Sequence, residues 1–117
     1  MNRTPIQLFG PHFRIDESLD AVRTCMERGW TGLGFMTVDI EQKWKEYTGV
    51  KNAHFVNSNT AGLHLALDVL KRRRGWADGD EVITTALTFV STNHAILYCG
   101  LTPVFADVDE YLCIDPA

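Results

Sequence analysis

The sequence has 117 residues, 45% hydrophobic and 22% charged, an ordinary globular composition for one domain of modest size. A formal net charge of -4 gives a whole-chain field that favours neither nucleic acid nor an anionic membrane. No apolar run nears the ~20 residues that span a bilayer, and "MNRTPIQLFG" lacks the apolar core of a secretory signal, so the expected location is cytoplasmic.

In chain order, residues 1–15 read as irregular, with Pro5, Gly10 and Pro11 set among Ile6, Leu8, Phe9 and Phe13. Asp16 is the expected N-cap of a helix that carries Leu19, Val22 and Met26 at helical spacing and stops at Gly29. "GWTGLG" follows, three glycines around Trp30, and then a helix with Ile40, Trp44 and Tyr47 on one stripe, closed by Gly49. "AHFVN", residues 53–57, reads as a short strand. "AGLHLALDVL", residues 61–70, is apolar on nearly every side and is expected to be a buried helix. The basic run Lys71-Arg72-Arg73-Arg74 follows it, where cations meet the negative end of the helix dipole. No aromatic residues interleave with it, so it does not read as a nucleic-acid patch.

"GWADGD" is a turn, "EVITT" a strand, "STNHAILYCG" a helix closed by Gly100, and "TPVFADVD" a third strand. Short strands alternating with helices predict βαβ units, a mainly parallel sheet and right-handed crossovers. The expected organisation is an N-terminal arm with two helices over residues 1–50, packing on an α/β core that begins at residue 51. The three cysteines, Cys25, Cys99 and Cys113, form no CxxC pair, so neither a zinc site nor a disulfide framework is indicated. Cys25 and Cys99 fall on apolar helix faces, where a thiol behaves as a small hydrophobe.

In parallel α/β sheets ligands bind on the loops at the carboxyl ends of strands. Two such loops are rich in hydrogen-bonding side chains. Asn57-Ser58-Asn59-Thr60 leads into the apolar helix, whose first N–H groups and dipole suit an anion such as phosphate. The same residues are also the preferred helix caps, and both readings stand. The second loop, "TTALTFVST" from Thr84 to Thr92, sets Phe89 in a run of hydroxyls, either as core or as a face for a flat ring. His12, His54, His64 and His94 share no metal-ligand spacing, and His64 reads as a core histidine. Asp107 and Asp109 read as turn acids. "GWTGLG" precedes no strand-to-helix crossover of the dinucleotide-binding kind.

Taken in order, "GWTGLG", "EQKWKEYTGVKNAHFVNSNTAGLHLAL" and "GDEVITTALTFVSTNHAILYCGLTPVFADVD" closely resemble the front of the DegT/StrS-type aminotransferases. The resemblance implies the first part of a fold-type-I (aspartate aminotransferase-like) large domain over residues 51–117, incomplete by itself. It implies pyridoxal 5'-phosphate as cofactor, a nucleotide-linked keto sugar as substrate, an amino donor such as glutamate, and a homodimer. Carried over residue by residue, Asn59 and Thr60, with Ser58 beside them, would hold the cofactor phosphate, and Phe89 would stack on the pyridine ring. Trp30 and Gly32 would lie near the sugar-nucleotide pocket. The family usually has glycine where this chain has Asn59. Its Schiff-base lysine and the carboxylate facing the pyridinium nitrogen are expected beyond residue 117, since none of Lys43, Lys45, Lys51 and Lys71 matches that lysine. Without that lysine the 117 residues are expected to be inactive by themselves. A sugar dehydratase of the same fold, a non-catalytic fragment and a small α/β phosphate-binding module are the alternatives.

Overall fold

The computed structural model describes residues 9–29 and 32–116. Among them, in order, are α1 (Ile15–Glu27), α2 (Phe35–Thr48), α3 (Asn59–Arg74), β1 (Glu81–Thr85), α4 (Val90–Tyr98) and β2 (Thr102–Ala106). They fall into two compact units, Met1–Phe55 and Val56–Ala117.

In the first unit α1 is capped by Arg14 and not by Asp16. The Arg14 carbonyl accepts from the Ser18 N–H at 3.0 Å, so Asp16 and Glu17 lie inside the first turn. There they complement the positive end of the dipole without capping it. After α1 ends, the Arg28 guanidinium lies 4.0 Å from the centre of the Phe35 ring, a cation–π contact that links α1 to α2. α2 stops where the sequence predicts. Gly49 takes the left-handed conformation (φ 74°) and its N–H returns to the Lys45 carbonyl at 2.8 Å, a closure a β-carbon would strain. The segment beyond is tied back by Glu41, whose Oε1 accepts from the Phe55 N–H at 2.8 Å.

The second unit contains the expected βαβ crossover, β1–α4–β2, with the strands parallel and in register from Glu81 opposite Thr102 to Thr85 opposite Ala106. Val, Ile and Thr fill "EVITT" because branched side chains suit a pleated, half-covered surface. The expected strand at 53–57 is absent. A strand exists only through the neighbour that takes up its N–H and C=O groups, and β1 and β2 form the one sheet among the described residues. β2 also ends at Ala106, short of residue 109. Beyond it Asp109 Oδ1 accepts from the N–H groups of Tyr111 (2.9 Å) and Cys113 (3.0 Å), so it is a turn acid as expected.

α3 departs from its sequence reading in two ways. It starts at Asn59 and runs to Arg74, so the basic cluster is its last turn and not its sequel. Nor is it buried: Leu65 is 54% and Val69 57% exposed. Among the described elements of its own unit only α4 packs against it, which covers one face and leaves the opposite apolar face open. His64 is likewise only partly buried, with its ring 5.6 Å from that of Tyr98. The core is small: Ile96, Cys99 and Leu101 are buried together, with Leu67 of α3 and Val82 of β1 packed against them. Burial of side chains of this size contributes about 1.5–3 kcal/mol each.

One cluster sets the direction of the helices. The Lys71 ammonium, in the last turn of α3, donates to the Asp78 carboxylate and, at 2.6 Å, to the carbonyl of Cys99, the C-cap of α4. Gly79 N–H donates to the Gly100 carbonyl at 2.8 Å and Thr102 N–H to the Asp80 carbonyl at 2.9 Å. Gly100 is required here: its φ is +68°, and a β-carbon would stand 2.9 Å from Asp78 Oδ1. The ends of α3 and α4 therefore meet the starts of β1 and β2. Both helix N-termini face the other way, toward the carboxyl end of the sheet.

Candidate cofactor site

At the start of α3, Ser58 is extended (φ -159°, ψ 156°) and its Oγ accepts from the Ala61 N–H at 3.1 Å. Its carbonyl accepts from the Gly62 N–H, also at 3.1 Å. Ser58 is thus the helix cap, which leaves its hydroxyl proton free to donate. The N–H groups of Asn59 and Thr60 are the first two of the helix and have no acceptor within it. Asn59 is helical, and Leu112 is the only described non-glycine residue with positive φ. The glycine usual in relatives is therefore not demanded by a left-handed backbone at this position.

Phe89 is the N-cap of α4, makes no side-chain capping bond and is 76% exposed. It is not core. Its loop is held by a polar network that the sequence does not reveal as one. Thr84, 4% exposed, donates from Oγ1 to Asn93 Oδ1 at 2.7 Å, and Asn93 Nδ2 donates to the Thr85 carbonyl at 3.2 Å. Thr85 Oγ1 accepts from the Leu87 N–H at 3.1 Å, and the hydroxyls of Thr88 and Thr92 lie 3.2 Å apart. The sequence signal that could have found Asn93 is an amide in the first turn of the helix, eight and nine residues from the two threonines it engages.

The donor set suits a phosphorylated, flat group. Residues 57–62 carry no acid, two backbone N–H groups are unengaged, and hydroxyls stand at Ser58 and Thr60. Phe89 offers an open aromatic face at the same end of the unit. Lys71 is the only lysine between Val56 and Ala117 and is committed at the opposite end. That pairing holds the Asp78 carboxyl below its ordinary range, first through the hydrogen bond from Lys71 and then through its charge. Burial pushes the Cys99 thiol up, with Asp68 adding to the effect and Lys71 opposing it. Gly32 lies in an exposed bend of the first unit, and Trp30 lies outside the described residues. No group of three or more metal-ligating side chains occurs among the described residues, and none of their helices is long and apolar enough to cross a membrane.

A βαβ unit with helix starts gathered at its carboxyl end is the architecture of an α/β ligand-binding domain. The profile of the DegT/DnrJ/EryC1/StrS aminotransferase family matches residues 14–117, and the chain belongs to that family. It is 45% identical over 101 residues to the spore coat polysaccharide biosynthesis protein SpsC of Bacillus subtilis, covering 86% of this chain and 25% of that protein. It is 40% identical over 91 residues to GDP-perosamine synthase of Caulobacter vibrioides, covering 77% of this chain and 24% of that one. Among solved structures it resembles the PLP form of a putative sugar aminotransferase, Spr1654, from Streptococcus pneumoniae. That match has a TM-score of 0.76 and 32% identity, and covers 89% of this chain and 25% of the other. The fold is accordingly the α/β fold of the fold-type-I transferases, and the cofactor of the family is pyridoxal 5'-phosphate. The chain spans about a quarter of the length of these relatives.

Proposed function

We propose that this chain supplies the phosphate cradle and the ring-stacking aromatic of a pyridoxal-phosphate-dependent sugar aminotransferase. The substrate is a nucleotide-linked keto sugar and the amino donor an acid such as glutamate. A GDP-sugar enzyme among the relatives supports the nucleotide-linked substrate, and family resemblance supports a homodimer. The observation that carries the reading is the pair of unengaged N–H groups at Asn59 and Thr60, at the same end of the unit as the exposed ring of Phe89.

The residues divide the work. The Asn59 and Thr60 amides and the Thr60 hydroxyl donate to a phosphate, aided by the positive end of α3. Ser58 keeps that helix end open by capping Ala61, and its hydroxyl proton is a further donor. Phe89 covers one face of the pyridine ring and excludes water from it. Bound there, the cofactor supplies the electron sink and amino carrier of a transamination. The proton-transferring amine is not among the residues from Val56 to Ala117, whose only lysine is occupied by Asp78 and Cys99.

The test compares pyridoxal phosphate with pyridoxal, which lacks the phosphate, in fluorescence titrations of the full-length protein. Thr60→Val should weaken pyridoxal phosphate binding by about 1–3 kcal/mol, roughly 5- to 150-fold. Pyridoxal binding should hardly change. Equal losses for both ligands, or none for either, would return Thr60 to a purely structural part in the helix start.

A further inference from the structure

We infer that the part-buried Thr84–Asn93 pair is a positioning device for Phe89, setting the ring for its ligand. The inference rests on the cofactor reading above and deepens it. The Phe89 side chain has no bond of its own to hold it: the residue is 76% exposed and makes no side-chain capping bond, and only its carbonyl is engaged, by the Thr92 N–H at 2.9 Å. An aromatic so placed stacks well only if the backbone beneath it is fixed. Two bonds fix it, both running across the loop between Asn93 and the end of β1. Asn93 sits one turn into α4, takes the Thr84 hydroxyl at 2.7 Å and gives its amide to the Thr85 carbonyl at 3.2 Å. The end of β1 and the first turn of α4 are thereby held together across residues 86–89.

The pair is built for this, and a pair that only packed would look different. Thr84 is 4% exposed, so its hydroxyl has no solvent to fall back on, and Asn93 satisfies a side chain and a main-chain group at once. The outer bonds, from Leu87 N–H to Thr85 Oγ1 and between Thr88 and Thr92, are exposed and join loop residues to positions only two and four away in the chain. They shape the turn, whereas Asn93 anchors it to the strand.

The experiment uses Thr84→Val, nearly isosteric but without the donor, and Thr84→Ser, which keeps it, in the full-length protein. Without cofactor, Thr84→Val should speed amide hydrogen exchange about tenfold at residues 87–92, with α3 unchanged, and Thr84→Ser should not. Pyridoxal phosphate affinity should fall about tenfold in Thr84→Val and recover in Thr84→Ser. In a Phe89→Ala background Thr84→Val should have no further effect on that affinity, because Thr84 acts through the ring. Unchanged exchange at 87–92, or an affinity loss that persists in the Phe89→Ala background, would overturn the positioning role alone. Absence of Phe89-dependent binding in the parent would overturn the cofactor reading and this inference with it.

Discussion

At the scale of single residues, exposure separates the aromatic that packs from the one that waits for a ligand. A core phenylalanine truncated to alanine loses about 3–5 kcal/mol of stability. Phe89, at 76% exposure, should lose far less. Phe89→Ala is therefore expected to leave the melting temperature of the apo protein nearly unchanged while lowering cofactor affinity, and Phe89→Tyr should retain binding. A large fall in apo stability with unchanged affinity would place the ring in the core instead. The cysteines offer a second check. Cys113 is exposed, Cys25 partly so, and Cys99 is buried with its thiol pushed up by that burial. Since the thiolate is the reactive form, alkylation of the native protein followed by mass spectrometry should modify Cys113 first and Cys99 last.

At the scale of elements, α3 is fastened at both ends, by different chemistry. Its start depends on Ser58, and Ser58→Ala should cost about 0.5–2 kcal/mol in denaturant unfolding; Ser58→Asp, which keeps an acceptor for the Ala61 N–H, should restore the helix yet repel a phosphate. Its end depends on Lys71, which bridges Asp78 and the Cys99 carbonyl. Lys71→Met should destabilise the unit and remove one component of its acid sensitivity. The sign follows from Asp78, whose carboxyl is held below its ordinary value of 3.8 by Lys71. The stabilisation is present above that value and is lost as pH falls through the lowered one. Urea unfolding of the parent across that range should show this acid loss, and the Lys71→Met protein should show less of it. Equal slopes in the two proteins would mean that the Lys71–Asp78 pair adds nothing beyond a solvated contact.

At the scale of the whole molecule, the core of the second unit is small for the apolar surface around it. Val82 and Thr84 face α4, so alternation along the strand puts Ile83 on the opposite face, where it is 70% exposed. With two strands, each has one unpaired edge, and such edges attract other strands. Leaving several such side chains in water forgoes about 1.5–3 kcal/mol each, against a typical domain stability of about 5–15 kcal/mol. A polypeptide of these 117 residues alone is accordingly expected to self-associate in sedimentation velocity. It should also show no transamination with added pyridoxal phosphate. A cooperatively melting monomer, or measurable turnover, would contradict that.

Much of this protein was legible in its sequence because the signals concerned are local or ordered along the chain. Gly49 ends α2 because glycine alone accepts the left-handed closure cheaply. "EVITT" is a strand with four β-branched residues in five, flanked by a turn, and β1–α4–β2 follows from the alternation of periods. The order and spacing of the motifs carried the family. Asp16, by contrast, lost the cap to Arg14, because several registers of a helix start differ by little energy. Only the tertiary structure decided that 53–57 is not a strand, that α3 keeps one apolar face in water, and that Asn93 reaches back to Thr84. Those outcomes depend on which surface stands opposite a residue, and sequence periodicity states only which face needs covering, never what covers it.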